Sequence, residues 1–289
     1  MTTLDRRTVL MTSGLALAYR SLPLVGNSFG AGNFAMSQSA GYGEDGSTSD
    51  VWPSFPSTDP ALVRAVVLAA HTDVDTVAEL VTAHPALSRA SIDWAFGDWE
   101  AALGAASHMG RRDIVDVLIA HGARPNIFSA AMMGQLDVVR AFVAAQPGIQ
   151  GIPGPHGITL LAHARNGGEP AAGVYEYLEN LGDADPSGPE TIEMSAEQRR
   201  QFVGDYTFGS GSNDYLEVAE NREVLSVKRA GQPFGRRMFA VSESEFYPSG
   251  SPAVRIAFDV QDGRATALQV IDNQVIVSAR KVGQGVTSR

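Results

Sequence analysis

The chain has 289 residues, 44% of them hydrophobic, and a formal net charge of −10, which leaves room for about two globular domains. It contains no cysteine, so disulfides, thiolate zinc sites and lipid-modified cysteine anchors are excluded. The acidity is uneven: residues 1–194 hold 10 Arg/Lys against 21 Asp/Glu, and residues 195–289 hold 12 against 11. An acidic first part argues against nucleic acid or an anionic membrane as its partner.

At the N-terminus, Arg6 and Arg7 precede a short apolar run that ends at Ala18. Residues 1–19 read as an export signal. The run is too short to cross a bilayer, so no stable membrane span is expected after signal removal. The segment Asp5–Leu10 resembles a twin-arginine signal through Arg6, Arg7 and Leu10, with Asp5 and Val9 departing from the pattern. That resemblance implies an exported bacterial protein, periplasmic or secreted. Residues 20–58 are rich in Gly, Ser and Pro without periodicity and read as a linker.

Residues 59–185 read as helical hairpins. Asp59-Pro60 opens the first helix as N-cap and first helical residue, and Asp73 marks the turn to its partner helix. The clearest unit is Ala101–Asn126. Small residues line its first helix, Gly110 ends that helix, Ile114, Val115, Leu118 and Ile119 stripe the second, and His121-Gly122 stops it. A shortened third unit turns at Gly134. A fourth begins at Gly157-Ile158-Thr159-Leu160-Leu161-Ala162-His163-Ala164 and closes at Gly182. These residues resemble the ankyrin repeat, with its TPLH-x-A-A start and terminal Gly-Ala. The resemblance implies an ankyrin-type helical solenoid that binds protein partners through its finger loops and inner helices.

Asp185-Pro186-Ser187-Gly188-Pro189 breaks the helical pattern, leaving 186–194 as a linker. Ser195 and Gln198 form a capping box for a short helix that runs to Phe202. The period then changes to two. Strands are expected at 205–208, 215–219, 224–229, 238–242, 245–248, 254–260, 265–271 and 275–281, separated by tight turns such as Gln261-Asp262-Gly263. The expected fold class is therefore multi-domain α + β, a helical solenoid followed by an antiparallel β meander or half-barrel over 195–282, with a tail at 283–289. The series Phe202-x-Gly204-x-Tyr206, Leu225-x-Val227, Glu245-Phe246 and Ile256-x-Phe258 resembles the accessory β domain of serine β-lactamase-like hydrolases. In that setting the domain is not the catalytic one.

No catalytic constellation is found. There is no G-x-S-x-G elbow and no phosphate loop. Ser278-Ala279-Arg280-Lys281 has S-x-x-K spacing but falls on a strand, where the two side chains do not share a face. The six histidines include no H-x-x-x-H pair, so no metal and no cofactor are expected. His121 and His163 read as structural. The unusual segment is Ser91–Glu100, with two of the three tryptophans and three acids in one finger. Aromatics beside carboxylates can grip a basic partner; alternatively Trp94 and Trp99 fold back and close the core over a shortened neighbouring finger.

The reading favours non-catalytic recognition of a protein partner, basic in character, in the cell envelope. Its contact surface is Asp93, Trp94, Phe96, Asp98 and Trp99, with His108, Arg111, Met132, Met133 and His156 beside it; Arg111 also has Asp113, Asp116 and Asp98 as surface ion-pair partners. A second reading stays open: a small-molecule or hydrolase-related protein. Its ligand site lies in the curl of the β domain or at the domain junction, where His108, His156 and the acids of the aromatic finger meet.

Overall fold

The computed structural model describes Trp52 and residues 55–283. The export signal of residues 1–19 and nearly all of the linker and tail readings lie outside the described residues. Residues from Trp52 onward belong to one compact unit.

Eight helices come first, in pairs: α1 (Pro60–Ala69) with α2 (Val74–Ala83), α3 (Ala102–His108) with α4 (Arg112–Ala120), α5 (Ile127–Met132) with α6 (Leu136–Ala145), and α7 (Leu160–Asn166) with α8 (Ala172–Leu181). Their ends follow local chemistry. The Asp59 carboxylate accepts from Ala61 N, and Asp73 accepts from Thr76 N, satisfying otherwise unpaired first-turn donors. Gly110 and Gly122 take positive φ just past α3 and α4, as a left-handed helix stop requires. Between α2 and α3 a short hairpin pairs β1 (Ser91–Asp93) with β2 (Trp99–Ala101), in the register Asp93↔Trp99.

The expected solenoid does not form. A solenoid repeat touches only its neighbours, and the stack shares a continuous core. Here α3 of the second pair packs against α7 of the fourth as well as against α1 and α5. The Arg112 guanidinium, from the second pair, donates to Met132 O at 2.7 Å and to Gly167 O at 3.0 Å. The helix between them, α5, has only six residues, about 9 Å. The buried side chains also divide. One core gathers α1–α4 and takes in Met132; a second gathers Ile127, Val139, Leu160, Val174 and Leu178 from α5–α8.

A short helix, α9 (Ala196–Arg200), follows with the expected Ser195–Gln198 capping box. Eight strands then run β3 (Gly204–Thr207), β4 (Tyr215–Asn221), β5 (Val224–Arg229), β6 (Arg236–Ala240), β7 (Glu245–Pro248), β8 (Arg255–Gln261), β9 (Arg264–Asp272) and β10 (Gln274–Lys281). All eight expected strands are present, but the half-barrel is corrected to a closed barrel. β10 returns to pair with β3 through Arg280↔Thr207 and Lys281↔Tyr206. Closure removes the two unpaired edges a half-barrel would expose.

Eight strands leave an interior that side chains just fill. Phe202, delivered by the end of α9, stands 4.7 Å from Phe258 and 5.0 Å from Phe246, ring centre to ring centre. The Tyr206 hydroxyl donates to Phe202 O at 2.7 Å. This packed interior takes up the space in which the sequence reading placed an apolar ligand.

Candidate metal centre at the junction of helices and barrel

The β1–β2 hairpin leans on both halves of the molecule. Phe96, in its turn, packs against the barrel core. On the other side of the turn the side chains alternate: Asp98 is buried, Trp99 is exposed and Glu100 is buried, as period-two geometry demands. Asp98 therefore shares a face with Glu100 and points away from solvent.

Asp98 fixes the junction. Its carboxylate accepts from Arg236 of β6, from His156 N at 2.8 Å and from His156 Nδ1 at 2.7 Å. The Arg236 guanidinium also donates to Ser249 O at 2.6 Å. Gly250 is needed here. Its φ is +83°, and a Cβ would collide with the Asp98 carboxylate. His156 itself sits at φ 61°, a left-handed conformation costly for a non-glycine residue, and both its main chain and its ring are tied to Asp98.

Around Glu100, whose side chain is fully buried, three imidazoles converge. His108, the last residue of α3, places Nε2 2.8 Å from Glu100 Oε1. His156 Nε2 lies 3.3 Å from Oε2. His71, just past α1, places Nε2 3.5 Å from Oε2. His71 Nδ1 is 3.0 Å from Val67 O; a carbonyl only accepts, so this nitrogen carries a proton, and in the neutral tautomer Nε2 is the nitrogen with the lone pair. Trp94 closes the site. Its Nε1 donates to Glu100 Oε2 at 2.7 Å, and its ring meets His71 and His156 edge to face. One ligand atom from each of His71, Glu100, His108 and His156 can be chosen so that all lie within 4.8 Å of one another.

The electrostatics follow from these contacts. Burial acts to raise the Glu100 carboxyl, but hydrogen bonds from His108 and His156 outweigh it and hold the group at about 2. Burial likewise acts against the charged His156 ring, and hydrogen bonds to Asp98 and Glu100 overcome it, raising the ring to about 9. His163 behaves oppositely. Burial pushes it down to about 4, and its Nδ1 is 2.8 Å from Thr159 O while Nε2 is buried without a partner among the described residues.

The remaining residues expected at a contact surface are dispersed. Asp93 and Trp99 are exposed, and Asp93 is engaged with Ala95 N. Arg111 pairs with Asp113 at 2.7 Å and donates to Thr72 O. Met132 is fully buried, and Met133 is half-buried with its carbonyl accepting from Arg112. His108, His156, Trp94 and Asp98 are brought together. Glu100, one of the three acids of the aromatic finger, joins them as the junction reading expects, and His71, which the sequence reading does not single out, completes the cluster; the sequence gives no reason to expect a metal. A signal for His71 exists: it stands two residues before Asp73, as His108 stands two residues before Gly110, so the two occupy equivalent places in successive hairpins.

No protein-family model matches the chain, and no curated protein matches it in sequence.

Proposed function

We propose that this protein binds a divalent transition-metal ion, with zinc as the best fit, through His71, Glu100, His108 and His156. The observation that carries the reading is the convergence of three imidazole Nε2 atoms on one buried carboxylate. Zinc bonds to imidazole nitrogen and carboxylate oxygen are about 2.0–2.2 Å, and a tetrahedron of such bonds has edges of about 3.3 Å. From Glu100 Oε2 the Nε2 atoms of His156 and His71 lie at 3.3 and 3.5 Å, close to that edge, while His108 Nε2 lies 2.8 Å from Oε1. Three imidazoles and a carboxylate are a borderline donor set, suited to zinc and its first-row neighbours and poorly suited to calcium or magnesium.

The supporting contacts are those a ligating histidine needs. His156 presents its other nitrogen to the Asp98 carboxylate and His71 presents its own to a main-chain carbonyl, which orients each ring and raises its basicity as a ligand. Four protein ligands describe a structural type of site, joining the ends of α1 and α3, strand β2 and the loop at His156. This supports the junction-site reading. A recognition surface has less to draw on, because Asp98 and Met132 are buried. The paired arginines near the N-terminus support placing this chemistry in an exported protein. Among the described residues no helix is long and apolar enough to cross a membrane.

The test is cobalt titration of chelator-treated protein. One equivalent should bind and produce the visible absorption of four-coordinate Co2+; zinc should then displace it, and His108→Ala should abolish the spectrum. Absence of stoichiometric uptake at micromolar protein would refute the reading.

A further inference from the structure

A cleft of about 450 Å³ opens beside the cluster, between α1, the β1–β2 turn and the segment joining β5 to β6. Its apolar walls are Trp94 and Phe96 from the turn and Phe234, which is 64% exposed, with Leu216 and Val227 of the barrel core behind them. Its charge runs against the rest of the molecule. Arg64, Lys228, Arg229 and Arg236 line it, with Asp93 as the one carboxylate, in a chain whose net charge is −10.

The four cations are not equivalent. Lys228 pairs with Glu217 at 2.9 Å, Arg229 with Asp214 at 3.1 Å, and Arg236 with Asp98. Arg64 stands over the Trp94 ring at 5.9 Å and forms no ion pair among the described residues. A half-buried arginine that forms no ion pair among the described residues, held on an aromatic face at the edge of a cleft with apolar walls, is suited to receive an anion whose body is apolar.

We infer that this cleft binds a small amphipathic organic anion, its ring or chain against Trp94, Phe96 and Phe234 and its charged group on Arg64. The metal is not required for this. Trp94 does, however, touch both places, with its Nε1 on Glu100 and its face toward Arg64.

The probe is 1-anilinonaphthalene-8-sulfonate, with N-phenyl-1-naphthylamine as the same ring system lacking the sulfonate. Both are titrated by fluorescence into the full chain kept in chelator, so the outcome is separate from that of metal binding. The sulfonate should bind one to one and be displaced by excess of an aliphatic carboxylate. Arg64→Gln should weaken it about tenfold, the size of one charge-assisted contact. Arg64→Lys should retain most of the affinity. The neutral probe should change less than twofold with either substitution, while Phe234→Ala should weaken both probes. Equal affinity for the two probes, or a sulfonate affinity indifferent to Arg64→Gln in a variant with an unchanged circular dichroism spectrum, would overturn the inference.

Discussion

Replacing Asp98 with Ala tests the junction directly. The carboxylate accepts two hydrogen bonds from His156, at 2.7 and 2.8 Å, and one from Arg236. Its side chain is 2% exposed, that of Arg236 is 14% exposed and that of His156 is 22% exposed. Removing one member of a buried charged group costs about 3–5 kcal/mol, because the partners stay desolvated without compensation. Arg236 keeps Ser249 O, and water can reach part of both partners, so the lower end applies: about 3 kcal/mol. With a urea slope of about 2 kcal/mol per molar, the unfolding midpoint should fall by about 1.5 M. Asp98→Asn retains an acceptor for His156 N and should lose about half as much. The His156 ring, observed by NMR, should titrate well below its present value of about 9 in either variant. A loss under about 1 kcal/mol for Asp98→Ala, too small for a broken buried pair, would show that Asp98 is not the tie between helices and barrel.

The metal-free protein should have a stability maximum near neutral pH. His156 is raised from 6.5 to about 9, so its contribution is complete below 6.5 and disappears as pH rises toward 9. His163 is lowered from 6.5 to about 4, so acidification protonates the unfolded chain first and destabilises the fold between those values. Glu100, lowered from 4.5 to about 2, adds stability above 4.5 that is lost as pH falls toward 2. Denaturant midpoints that rise or fall monotonically from pH 5 to 9 would contradict this balance. Gly250→Ala should destabilise by about 2 kcal/mol or more, through its positive φ and the clash with Asp98, whereas Gly263→Ala, which has positive φ but open space, should cost only the backbone strain. Comparable losses from the two in thermal melts would remove the close approach from the explanation.

The strands were legible because alternation and turn chemistry are local. Asp262-Gly263, for example, takes positive φ at both positions, the geometry of a tight hairpin turn. Closure was not legible. The β10–β3 pairing joins segments more than 70 residues apart, and nothing in either strand's own pattern names its partner. Helix starts and stops were readable from Asp59, Gly110 and Gly182, but their stacking was not, since it turned on the contact of α3 with α7, segments more than 50 residues apart. In the aromatic finger, composition draws attention to the right segment but leaves open whether Trp94 and Trp99 face a partner or fold back onto the core. Read with period two, Asp98 and Glu100 separate from Trp99, and only the tryptophan faces solvent. The histidines came from three distant segments, which is why a search for ligands spaced along one helix could not find them.

Strand β2 serves two masters within three residues. The carboxylate just ahead of it grips the barrel, and the one at its centre gathers the imidazoles, with about 7 Å of extended backbone between them. Both ties therefore depend on the placement of one three-residue strand. Severing the chain between α8 and α9 would not yield two self-contained pieces: one would keep a submerged acid deprived of its arginine, and the other a guanidinium deprived of its acid.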